Sequence, residues 1–71
     1  MMDFVSVNDE LQALKLKARE YGKEIIRIEK AGNANMSAFK VFYKNNNEDT
    51  IRETFFWRHA MDRLIAQFAS E

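Results

Sequence analysis

The chain contains no cysteine and no proline, and glycine occurs only twice, at Gly22 and Gly32. Without thiols it can form no disulfide framework, no thiolate zinc site and no cysteine nucleophile, and a reducing cytoplasm is its expected compartment. Neither glycine belongs to a loop of the kind that cradles nucleotide phosphates, so no cofactor is expected. No uninterrupted apolar run exceeds three residues, Phe55-Phe56-Trp57 among them, whereas a membrane helix needs roughly 18 to 20. The opening MMDFVSVNDE is acidic and lacks the cationic region and apolar core of a secretory signal, so neither export nor a membrane partner is expected.

What is present describes a small folding unit. At 71 residues the chain has about half the length of a typical domain and is expected to form one domain. A chain of this size buries only about 60% of the surface its unfolded form exposes, so partners can add materially to its stability. With 46% hydrophobic and 31% charged residues it falls among ordinary globular sequences, away from disordered and coiled-coil compositions. The zero net charge hides a pattern: residues 15 to 44 carry eight basic side chains against three acidic ones, while both flanking segments are acidic.

Val7, Leu11, Leu14, Ala18 and Tyr21 recur at helical spacing and predict a helix over about residues 8 to 21, with Gly22 at its left-handed C′ position. The β-branched segment KEIIRIEK predicts a strand over about 24 to 30, and MSAFKVFYK a second over about 36 to 44. The intervening AGNAN turn makes an antiparallel hairpin the natural pairing. Thr50-Ile-Arg-Glu53 matches a capping box and predicts that a second helix starts there. Its rows Phe56, Ala60, Leu64, Phe68 and Trp57, Met61, Ile65 would face the core. Residues 2 to 6 have β-forming character. The expected fold is two-layer α+β, with order α-β-β-α or, given an N-terminal strand, β-α-β-β-α, and two helices packed on one face of a small antiparallel sheet.

That order, with a basic hairpin and a C-terminal helix, resembles in topology a double-stranded-RNA-binding domain short of one strand. The second helix departs from the pattern, because it would begin with Asp49, Thr50 and Glu53 where such a domain has a lysine cluster to hold phosphates.

Catalytic chemistry has little to stand on. His59 is the only histidine, and with Asp62 it supplies two metal ligands where three or four are normal, so no metal is expected. Ser6, Ser37 and Ser70 lack any nucleophile motif. Glu48, Asp49 and Glu53 are explained by the preference of a helix N-terminus for negative charge. A non-enzymatic protein is therefore expected. The hairpin offers more. If the helices cover Ile26, Ile28, Phe39, Val41 and Tyr43, alternation leaves Ile25 and Phe42 on an open face among Arg27, Lys40 and Lys44. Ile51 and Phe55 mark an apolar edge of the second helix. Such a surface can anchor a protein partner, a second copy included. The alternative partner is nucleic acid, its unpaired bases stacking on Phe42 and its phosphates meeting the cations. Leu16, away from the helical stripe, is expected to be a solitary exposed leucine.

Overall fold

The computed structural model describes residues 3 to 31 and 38 to 71, with side chains from residue 8 onward. Helix α1 (Asp3–Glu20) leads into strand β1 (Lys23–Ala31), β2 (Ala38–Asn45) and β3 (Arg52–Trp57). A 3-10 turn (Arg58–Ala60) then joins β3 to helix α2 (Met61–Ser70). The strands form one antiparallel sheet in the order β1-β2-β3, and the helices meet each other and the sheet, as the small α+β fold expected.

The core follows from two periodicities. Leu14 and Ala18, four apart, come from α1, and Leu64 and Phe68, four apart, from α2. Strand β2 alternates, sending Phe39, Val41 and Tyr43 inward, where Phe56 of β3 joins them. Phe39 and Phe56 are register partners with ring centroids 5.4 Å apart, and the Tyr43 ring lies 4.8 Å from that of Phe68. Gly22 has φ +76°, and its N–H donates to the Arg19 carbonyl at 3.1 Å, closing α1 as the C′ position requires.

Four expectations need correction. Residues 52 to 57 are a strand, so the capping box at Thr50 goes unused and the second helix begins only at Met61. β-branched Thr54 and aromatic Phe55, Phe56 and Trp57 pack well on a pleated surface, and pairing with β2 outweighs a local cap. The resulting order is α-β-β-β-α. Residues 3 to 6 belong to α1, so the N-terminal strand is absent there; Met2 lies outside the described residues, as do the side chain of Val7 and residues 32 to 37, on which most of the expected AGNAN turn and the start of the expected second strand fall. Tyr21, placed in the helical stripe, is exposed, because the chain has already left the helix.

The fourth correction concerns the faces of β1. Between Ile25 and Arg27 the register shifts by one residue, a β-bulge at Ile26. Ile25 stands opposite inward Tyr43 and Ile28 opposite inward Val41, so both pack against the core while Ile26 is exposed. Simple alternation would have put Ile25 outside.

Candidate interaction surface

With both helices on one face, the other face of the sheet is left uncovered by the described residues. Its outward positions are Glu24, Arg27 and Glu29 on β1, Lys40, Phe42 and Lys44 on β2, and Glu53, Phe55 and Trp57 on β3. The pairings Arg27↔Phe42, Lys40↔Phe55 and Phe42↔Glu53 set an aromatic beside a charge at each step. The guanidinium of Arg27 lies 3.8 Å from the Phe42 ring centroid. Lys40 Nζ stands between Phe42 and Phe55, at 5.9 and 5.2 Å from their centroids.

Every cation of this face has a carboxylate. Arg27 Nε donates to Glu29 Oε2 at 2.8 Å, Lys40 lies 3.3 Å from Glu53, and Lys44 lies 3.4 Å from Glu24. Three positive and three negative side chains cancel, which leaves the aromatics as the distinctive feature. Phe55 is 63% exposed and Trp57 48%. Surface ion pairs of this kind contribute little to stability, a median of about 0 to 1 kcal/mol. Their effect here is to flatten the field of the surface.

Of the residues singled out from the sequence, Arg27, Lys40, Phe42 and Lys44 share this face and Phe55 joins them from β3. Ile51 is exposed just ahead of β3, whereas Ile25 turns to the core. Trp57, expected in the core of a helix, lies instead on the open face. No local signal marks it, because the triplet Phe55-Phe56-Trp57 is aromatic on both faces of the strand. Leu16 is not solitary: with Leu14, Met61 and Ile65 it lines an apolar groove of about 340 Å³ between the helices.

The charged cluster at the other end of the sheet is structural. Lys23, only 4% exposed, donates to Asn45 Oδ1 and lies 3.2 Å from Glu71 Oε1. Glu71 Oε2 accepts from Tyr43 at 2.9 Å and from Gln67 at 3.2 Å. Burial pushes the Glu71 carboxyl up, but the hydrogen bonds from Gln67, Tyr43 and Lys23 outweigh it and hold the group below its usual range. Burial and the bond to Glu71 push the Tyr43 phenol above its usual range. Glu48, hydrogen-bonded by Asn45 and Arg52, is also held low. His59 stands with its ring 6.0 Å from that of Trp57. Among the described residues no group of three or more His, Asp or Glu side chains is arranged to hold a metal, and no helix is long and apolar enough to cross a membrane.

The molecule is thus a small α+β domain with one face of its sheet uncovered by its helices. No protein-family model, curated protein or solved structure matches the chain.

Proposed function

We propose that this protein is a non-enzymatic binding module, acting in the cytoplasm, that recognises another protein through the open face of its sheet. The observation that carries this reading is the combination of exposed Phe55 and Trp57 with a charge lattice that cancels itself. Interface cores are depleted in charge and enriched in aromatic anchors, whereas a nucleic-acid surface needs surplus positive charge to displace counterions. Arg27, Lys40 and Lys44 carry no such surplus. The first turn of α2 holds one acidic and one basic residue, Asp62 and Arg63, in place of a phosphate-binding lysine cluster.

The test is affinity capture from a lysate by the wild-type chain and by Phe55→Asp, each with and without nuclease. Proteins retained by the wild type, resistant to nuclease and lost with Phe55→Asp are the expected result. Capture that disappears with nuclease would favour the nucleic-acid reading, and identical capture by both chains would overturn a role for this face.

A further inference from the structure

The two outer strands of the sheet differ in their fitness to accept another strand. Each has one edge without a partner strand among the described residues, since the order is β1-β2-β3. Strand β1 is interrupted by its bulge and lined with Lys23, Glu24, Arg27, Glu29 and Lys30, and bulges and charges of this sort discourage edge pairing. Strand β3 runs in unbroken register with β2 from Arg52 to Trp57, without proline. With charge only at Arg52 and Glu53, it is the less guarded of the two edges.

Beside that edge lies a cavity of about 140 Å³ lined by β3 residues Phe55, Phe56 and Trp57 and by Ala60, Arg63, Leu64 and Gln67. Phe56 points to the opposite side of the sheet from Phe55 and Trp57, so a cavity touching all three borders the edge of the strand. Its floor is apolar, through Phe56, Ala60 and Leu64. Its wall holds Arg63, exposed and without a carboxylate partner among the described residues. This contrasts with Arg27, Lys40, Lys44, Arg52 and Arg58, each of which has one.

We propose that the free edge of β3 accepts an extended, acidic segment of a partner protein as a fourth strand. One inward side chain of that segment is apolar and enters the cavity over Phe56 and Leu64; the neighbouring inward side chain, two residues away, is Asp or Glu and pairs with Arg63. Main-chain hydrogen bonds to β3 supply affinity and the cavity supplies selectivity, the division of labour of strand addition. The planar guanidinium suits a carboxylate through paired N–H donors. The proposal rests on the reading of the protein as a binding module and narrows it to one edge and one partner chemistry.

The experiment selects binders from a displayed library of random dodecapeptides on the immobilised wild-type chain, then measures a selected peptide against variants. Enrichment of peptides with an apolar residue and Asp or Glu two positions apart is expected. Arg63→Glu should weaken the peptide about tenfold or more, and replacing the peptide carboxylate by lysine should restore binding to that variant. Arg63→Gln, which removes the charge without reversing it, should give an intermediate loss, and the amide protons of β3 should become protected from exchange when the peptide is bound. Peptides that ignore Arg63→Glu but fail against Phe42→Ala would overturn the edge site while leaving the open-face reading intact. No enrichment at all, or a wild-type chain that sediments as a dimer with β3 amides already protected, would overturn the acidic-segment proposal; the capture experiment then decides the broader reading separately.

Discussion

The ammonium of Lys23 lies 3.2 Å from the carboxylate of Glu71, joining the first residue of β1 to the residue that caps α2. Because Asn45 of β2 also accepts from Lys23 and Tyr43 of β2 donates to Glu71, one cluster ties β1 and β2 to the end of the helix. Removing the buried donor by Lys23→Ala leaves Asn45 and Glu71 without their shared partner. The expected loss is about 1 to 3 kcal/mol. Lys23→Met, which retains the apolar stem, should lose less. Urea unfolding at constant slope measures both; an equal loss for the two variants would assign the effect to the ammonium alone, and a loss confined to Lys23→Ala would assign it to packing of the stem.

The same cluster sets the pH limits of stability. The Glu71 carboxyl titrates below its ordinary value of 4.5 when folded, so its contribution is present above that value and is lost as pH falls through the folded one. The Tyr43 phenol titrates above its ordinary 10.0, so its contribution is present below that value and is lost as pH rises through the folded one. The urea midpoint should therefore fall at both extremes. Glu71→Gln should flatten the acid limb and bring forward the phenolate absorbance of Tyr43, and an unchanged acid limb would remove Glu71 from the account.

Gly22 offers a test free of packing effects. A methyl group there would meet no neighbour within 4 Å, yet φ is +76°. Gly22→Ala should destabilise by about 1 to 2 kcal/mol through backbone strain alone. A neutral result would mean that the turn relaxes to negative φ.

Core and open face should separate cleanly on substitution. Leu64→Ala or Phe68→Ala removes a buried side chain and should cost about 2 to 5 kcal/mol. Phe55→Ala, on an exposed ring, should change stability by no more than about 0.5 kcal/mol. A large loss at Phe55 would mean that its ring belongs to the fold rather than to a surface for partners.

Much of the architecture was legible because its periodicities are local. Leu14 and Ala18 announce a helix face, and Phe39, Val41 and Tyr43 announce the inner side of a strand. Strand β3 was hidden because inward Phe56 and outward Phe55 and Trp57 are all aromatic, so alternation left no polar trace. Phe56 also sits four residues before Ala60, in phase with the true helix that follows, and the row Phe56, Ala60, Leu64, Phe68 mimics one continuous helix. The cationic half of the open face could be read from β2 and β1. Trp57 and the partner of Lys40, Glu53, could not, since both depend on a pairing between β2 and β3 that no local pattern records. The position of Ile25 was lost for a related reason: one extra residue in β1 reverses its side-chain phase, and a bulge leaves no mark in composition.

That extra residue also bears on valency. Without Ile26, the strand would read Lys-Glu-Ile-Arg-Ile-Glu-Lys, with Ile25 and Ile28 still inward, so the bulge is not needed to bury either isoleucine. Its mechanical effect is to bend the outer margin of β1 and leave β3 as the straight margin. A body with one adhesive margin forms complexes that terminate, whereas a body with two can add copies head to tail without limit. Deleting Ile26 would remove the bulge and leave the charges of Lys23, Glu24, Arg27, Glu29 and Lys30 as the only guard on that second margin.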